Sequence, residues 1–289
     1  MKRLVAKCIS VLLIVLTIGI AITSYSFHIE PGWIEVVELE ETLPRLSPAF
    51  QGFKIVQISD THVGRLMGQE RFNQIIDLIN QQEPDLVAIT GDFVTHHPER
   101  YADILISGLR RLTQKHPTVG VLGNHDHSSD PVEVRRILQE GGVLELNNSV
   151  YTVRRGEEEL QVAGVDDLWA RKTDLDQVLE QLPRSGAAIL LVHEPDFADT
   201  SSQTDRFDLE LSGHSHGGQI RFPWVGGVWF PRDGRIYTQG RYQVGNMVHY
   251  TNRGVGMMTL GARLLCRPEI TVFTLLVLHH NDYDGVGFG

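Results

Sequence analysis

FKIVQISDTH, residues 53–62, sets an apolar run rich in β-branched residues directly against an aspartate and a histidine. A run of this length and composition reads as a buried strand. Asp60 and His62 therefore sit where the strand stops. Four further apolar runs end alike. DLVAIT (85–90) leads into Gly91 and Asp92, and TVGVLG (118–123) leads into Asn124, His125 and Asp126. AAILLVH (187–193) carries His193 at its own end, and DLELSG (208–213) leads into His214, Ser215 and His216.

Helical segments lie between these runs. ERFNQIIDLINQQ (70–82) places Phe72, Ile75, Ile76 and Ile79 on one face. Residues 101–112 do the same with Ile104, Leu105, Gly108, Leu109 and Leu112, and residues 132–141 and 174–182 also read as helices. YTVRRGEEELQVAGV (151–165) reads as a hairpin around Gly156, and the chain is strand-rich after Met247. Strands alternating with helices, then strands alone, predict an α/β fold of two packed sheets with helices outside.

The carboxyl ends of strands in open α/β sheets form the ligand crevice, so the five ends are expected to converge. Aspartate and asparagine also start turns, and glycine permits them. One such end would mean no more than a turn; five ends bearing oxygen or imidazole donors mean a site. Imidazole and carboxylate without thiolate suit Mn, Fe or Zn. Two such ions about 3.5–4 Å apart form a clamp for phosphoryl chemistry. Asp92 is placed to bridge them, because its strand is expected between the other two. His214 and His216, if extended, point the same way and serve adjacent ions.

Composition narrows the class. The chain has 289 residues, 42% of them hydrophobic, with a formal net charge of −10. That balance disfavours a nucleic-acid partner, which needs a basic surface. The two cysteines, Cys8 and Cys266, allow neither a disulfide framework nor a cysteine zinc site.

The N-terminus differs from the rest. Lys2, Arg3 and Lys7 precede residues 8–27, which carry no charge. Twenty such residues suffice to cross a bilayer. Positive charge before the span keeps that end in the cytoplasm and places the remainder on the other side. Small residues at Ala21, Thr23, Ser24 and Ser26 make a cleaved signal peptide the rival reading. Residues 1–28 are thus expected to be an anchor or signal, 29–52 a linker with an edge strand, 53–278 the domain proper, and 279–289 a flexible tail whose His279 and His280 are not ligands.

The ordered blocks D-x-H, G-D, G-N-H-D, a lone histidine after a strand, and G-H-x-H resemble the calcineurin-like metallophosphoesterases over about residues 53–275. TNRGVG to RPEI (251–270) is similar to the membrane-associated bacterial branch of that family. The resemblance implies a four-layer α/β/β/α sandwich preceded here by the N-terminal helix. It implies one divalent ion on Asp60, His62, Asp92 and His216, and a second on Asp92, Asn124, His193 and His214. His125 would contact the phosphate and protonate or stabilise the leaving oxygen, while a hydroxide bridging the ions attacks phosphorus in line. The implied substrate is a phosphodiester, a phosphomonoester or a pyrophosphate.

Similar membrane-associated enzymes cleave the pyrophosphate of UDP-diacylglucosamine, an alternative that conflicts with a domain outside the cytoplasm. A catalytically weak metal-binding scaffold of the same fold is the other alternative, but no ligand is missing. One departure stands out. Many relatives read G-D-x-x-D, with the second aspartate orienting the catalytic histidine, where this chain has Thr95. Asp126 is one candidate to replace it. His96, His97 and His127 read mainly as loop residues. The glycine-rich loop 221–246 carries Trp224, Trp229, Phe230 and four arginines, Arg221, Arg232, Arg235 and Arg241. The aromatics either cap the second sheet or dip into a bilayer interface under a lipid-linked phosphate; the arginines are either solvated or bind phosphate.

Overall fold

The computed structural model describes residues 2–258 and 260–278; the predicted tail at 279–289 lies outside them. Helix α1 (Lys2–His28) stands exposed except at its C-terminal end, where Ser26 is buried, and is apolar enough to cross a membrane. The strands that follow are β1 (Glu35–Leu43), β2 (Phe53–Ile58), β3 (Leu86–Thr90), β4 (Thr118–Val121) and β5 (Leu144–Glu145). Next come β6 (Ser149–Arg155), β7 (Glu158–Gly164), β8 (Ala188–Leu191) and β9 (Leu209–Ser212). A short hairpin, β10 (Arg221–Phe222) and β11 (Gly226–Gly227), precedes β12 (Gly240–Val244), β13 (Met247–Thr251) and β14 (Glu269–Val277).

They form two six-stranded sheets, ordered β1-β14-β2-β3-β4-β5 and β12-β13-β9-β8-β7-β6. β2 to β5 run parallel, as do β7, β8, β9 and β13. β14 lies antiparallel to β2 and carries β1 parallel on its far side. Alternation along the strands explains the layering. Phe53 and Ile55 of β2 point between the sheets, against Ile189 and Leu191 of β8 and Leu209 and Leu211 of β9. Val56 and Ile58 point outward, under helices α2 (Gln69–Gln81), α3 (Pro98–Thr113) and α5 (Pro131–Gly141). Ala188 and Leu190 face the other exterior, where Val178 of α6 (Leu175–Gln181) packs. Each fully buried Ile, Leu or Phe contributes about 1.5–3 kcal/mol. The result is the four-layer α/β/β/α sandwich expected from the sequence.

The helix limits lie close to those expected from the spacing. Leu105, Gly108, Leu109 and Leu112 of α3 are buried as the spacing requires, with Ile104 half-buried. Asp130 caps α5 by accepting the Val132 and Glu133 N–H groups, both at 3.1 Å. Gly142, in the left-handed region at φ 81°, ends it.

Candidate metal centre

The carboxyl ends of β2, β3, β8 and β9 meet between the sheets, together with α4 (Asn124–Ser129), which follows β4. Gln57 ties the sheets just below, its amide donating to Thr90 Oγ1 at 3.1 Å and to the Ser212 carbonyl at 3.0 Å. Asp60, His62, Asp92, His214 and His216 all have left-handed backbones, with φ of 52°, 45°, 54°, 66° and 50°. Such conformations are strained for residues with a Cβ and persist only where the surroundings enforce them. Here each turns a buried side chain toward one point. The neighbouring glycines are steric requirements. A Cβ on Gly213 would lie 1.8 Å from Ser59 Oγ, and one on Gly123 would lie 2.4 Å from Asp92 Oδ1.

The side chains form two clusters that share a carboxylate. In the first, His216 Nε2 lies 3.1 Å from Asp60 Oδ1 and 3.1 Å from His62 Nε2. In the second, His193 Nε2 lies 3.2 Å from His214 Nδ1. Asp92 Oδ2 stands between them, 3.2 Å from His193 Nε2 and 3.6 Å from His62 Nε2. His214 and His216 do serve different clusters, but not because the segment is extended. His214 sits in a turn and His216 opens a single helical turn, so the backbone itself swings the two rings apart.

Second partners fix the tautomer of two of the rings. His193 Nδ1 donates to the Thr90 carbonyl at 2.7 Å, and His214 Nε2 donates to the Arg232 carbonyl at 2.8 Å. A carbonyl only accepts, so the neutral rings turn the His193 Nε2 and His214 Nδ1 lone pairs to the cluster. Burial opposes charge on His193, but Asp92 outweighs it and holds the ring well above 6.5, so His193 gives up its Nε2 proton on taking a cation. Asp60 Oδ2 accepts the His214 main-chain N–H at 3.0 Å, and Asp92 Oδ1 accepts that of His125 at 2.8 Å. Asp60 Oδ1 and Asn124 Oδ1 are buried without any hydrogen-bond partner. Asp60 Oδ1 beside the His216 and His62 imidazoles, and Asp92 Oδ2 beside the paired His193 and His214 nitrogens, are donor sets that fit a cation. Burial pushes the His62 imidazole down to about 3 and that of His214 to about 4, so both stay neutral at neutral pH. Burial opposes ionisation of Asp92, but His193, then His125 and His62, hold it well below the usual carboxylate range.

Residues 53–218, more than half of the chain, match the family described as calcineurin-like phosphoesterase. This chain belongs to that family. It is 37% identical to the Bacillus subtilis metallophosphoesterase YkuE over 87% of this chain and 88% of that one. It is 31% identical to the Escherichia coli phosphodiesterase YaeI over 87% of this chain and 92% of that one. A transmembrane protein with metallophosphoesterase domain from Danio rerio is 30% identical over 92% of this chain and 62% of its own length. The protein is a metal-dependent phosphoester hydrolase.

In this metallophosphoesterase His125 is half-buried at the start of α4, its ring edge-on to that of His62 with centroids 4.9 Å apart. Its Nδ1 lies 3.3 Å from the Thr95 main-chain carbonyl. That contact holds the ring and needs no side chain at position 95. Asp126 does not orient it. The Asp126 carboxylate turns the other way, accepting the Val94 N–H at 3.1 Å and the Gly123 N–H at 3.0 Å. Burial, and then the charge of Asp92, push its pKa up to about 7. The Thr95 hydroxyl reaches His62 instead, 3.4 Å from Nδ1 and 3.3 Å from its carbonyl.

Among the described residues, the other histidines do not enter the clusters. His97 is exposed beside Glu99, and His96 is exposed with its ring 5.8 Å from that of His125. His127 pairs with Asp166 at 2.6 Å. Of the loop arginines, Arg241 pairs with Glu41 and Arg221 donates to the Gly217 carbonyl. Arg232 lies 4.9 Å over the Trp169 ring, and Arg235 is exposed.

The catalytic pocket also has walls the sequence did not announce. Trp169 packs edge-on against His214 at 5.2 Å, and its indole N–H donates to Asp233 at 3.0 Å. Gly254 and Gly256 lie against Asp60 and Thr61 so closely that a Cβ on either would fall 2.8 Å or 2.4 Å from them. Buried Arg263 pins that loop. Glu194 is buried next to Asp167; burial, then the Asp167 carboxyl, hold it well above the carboxylate range. Only the loop glycines left a signal, in TNRGVG.

Proposed function

We propose that this metallophosphoesterase hydrolyses a phosphodiester with two divalent ions bound side by side. Asp60, His62, Asp92 and His216 would hold one; Asp92, Asn124, His193 and His214 would hold the other. The observation that carries this reading is Asp92 Oδ2, shared between His193 at 3.2 Å and His62 at 3.6 Å. Divalent ions in such a pair lower the pKa of water toward neutrality and neutralise charge on the phosphoryl oxygens. The chain supplies the rest. Asp60 and Asp92 are fixed by main-chain N–H groups, His193 and His214 by carbonyls, and His125 by Thr95. With Nδ1 held, His125 Nε2 is free to contact a phosphate oxygen and to give a proton to the leaving group.

Two pockets favour a diester, which carries two substituents. One of about 340 Å³ is lined by His216, Ile220, Val228, Trp229 and Leu260; the other, of about 270 Å³, by Arg65, Thr95, His96 and Tyr101. Met258 lines both. The same reading takes α1 as the anchor, supported by its length and apolar composition, and takes the domain to lie on the non-cytoplasmic side, supported by Lys2, Arg3 and Lys7 before the span; export after signal cleavage is the alternative. A reporter fused at the C-terminus tests the side.

The test of the chemistry is metal content and hydrolysis of bis-p-nitrophenyl phosphate, p-nitrophenyl phosphate and a UDP-linked pyrophosphate, with wild type beside Asp92→Ala. About two ions per chain and turnover of the diester, lost in the variant, are expected. Failure to retain Mn²⁺ or Zn²⁺ would sink the assignment, and a preference for the monoester or pyrophosphate would replace the diester.

A further inference from the structure

The end of α1 is tied to one segment of the domain. The Ser26 carbonyl accepts the Arg263 N–H at 2.9 Å, and the Glu30 carboxylate accepts the N–H groups of Leu265 at 2.9 Å and Cys266 at 2.5 Å. The same segment pairs with the strand that opens the β10–β11 hairpin. Arg221 donates to the Leu264 carbonyl at 2.8 Å, and the Leu264 N–H donates to Gln219 at 3.1 Å. Residues 263–266 therefore lie between the exit of the span and the hairpin.

That hairpin is apolar where it should be polar. Phe222, Trp224 and Val225 at its tip are exposed, Trp224 completely, and Val228 and Trp229 continue the patch. None of them caps the second sheet; only Phe230 folds back, onto Gly218 and Gly227. Leu260 and Leu265 extend the same surface. Trp33, just past the span, is exposed under the Arg267 guanidinium, 3.5 Å from its ring centroid. Exposed apolar clusters mark interaction surfaces, and tryptophan with arginine at a span's end marks a bilayer interface. The pocket of about 340 Å³ lies behind this patch, running from Val228 and Trp229 to buried His216.

We infer that the β10–β11 hairpin lies in the interface of the membrane that α1 enters, and that the pocket behind it receives the apolar chain of a phosphate ester drawn from that membrane. The substrate half of this inference rests on the phosphodiesterase reading above; the membrane seat does not. The occupant is lipid rather than a second protein because the patch is continuous with the span, and the span fixes its distance from the bilayer.

Two readouts test it on the full, Mn²⁺-loaded chain in vesicles of phosphatidylcholine and phosphatidylglycerol. The first is tryptophan quenching by brominated lipid, in wild type and in a Trp224→Phe, Trp229→Phe double variant. Quenching that falls in the double variant is expected; quenching that is unchanged overturns the seat. The second compares hexadecyl and methyl p-nitrophenyl phosphate, which share the scissile bond and differ in the tail. Wild type should prefer the hexadecyl ester, and Val228→Glu and Trp229→Glu should cut that preference about tenfold, read as the ratio of kcat/KM on the two esters in each protein. An equal rate on both esters in wild type, or an unchanged preference in the variants, overturns the pocket. Turnover of neither ester by wild type refutes the diesterase reading and with it the substrate half, and the quenching still decides the seat.

Discussion

The Asp92 carboxylate and the His193 imidazole meet at 3.2 Å, Oδ2 to Nε2, while the other Asp92 oxygen is held by the His125 N–H at 2.8 Å. One oxygen is anchored and one is left to be shared. Asp92→Asn halves the donor capacity and removes the charge common to both clusters, so it should empty both sites. His214→Ala removes a donor from one cluster only and should leave about one ion per chain. Elemental analysis after gel filtration reads the difference. Two retained ions in Asp92→Asn would show that the carboxylate is not shared.

The second prediction concerns His125. His125→Ala should lower turnover of bis-p-nitrophenyl phosphate by about 100- to 10,000-fold with metal content unchanged. Because the ring is held by the Thr95 main chain, Thr95→Ala should leave kcat within about threefold of wild type. A loss in Thr95→Ala comparable to that of His125→Ala would mean that the hydroxyl, and not the carbonyl, positions the ring.

Sequence and structure agree most where function is local to a strand end. Asp60, Asp92 and His193 each end an apolar run, and it is the pattern of such runs that pointed to their convergence. The pairing of His214 with one cluster and His216 with the other was also anticipated, but through an extended backbone that the left-handed φ values replace. What stayed hidden depends on contacts between distant segments. Asp126 sits next to His125 in the chain, yet its carboxylate is captured by Val94, thirty-two residues away. Trp169 over His214 and Gly254 over Asp60 likewise have no periodicity to betray them.

His127 and Asp166, 2.6 Å apart at the rim, give stability a definite pH window. Partial burial lowers the His127 pKa, but the Asp166 hydrogen bond and charge outweigh it, so the folded value is above 6.5. Burial likewise opposes Asp166, and His127 holds it below 3.8. The histidine's contribution is complete below pH 6.5 and fades as pH rises through the raised value; the aspartate's is complete above pH 3.8 and fades as pH falls through the lowered one. Between those limits the pair contributes fully. His127→Asn should therefore lower Tm at pH 5.5 by on the order of 2 °C, since solvent screens the pair, and by less at pH 9. Melting curves of both proteins across pH check it; a larger loss at pH 9 would reverse the sign.

Arg263 offers the last prediction, because it is fully buried and its guanidinium faces carbonyls where a carboxylate would be usual. It donates to the carbonyls of Arg253 and Gly254, each at 2.9 Å, Gly256 at 2.7 Å and Cys266 at 3.0 Å. The first three belong to the loop whose glycines press on Asp60. Arg263→Met keeps much of the volume and strands the carbonyls, a loss of about 3–5 kcal/mol. Arg263→Lys restores the charge but not the fork that reaches several carbonyls, and should lose less. The functional effect should be uneven. Asp60 belongs to the cluster of His62 and His216, so the lysine variant should weaken binding of one ion and spare the other. Chemical denaturation gives the first quantity and metal titration the second. Equal weakening of both ions in Arg263→Lys would show that the loop supports the fold as a whole and not Asp60 in particular.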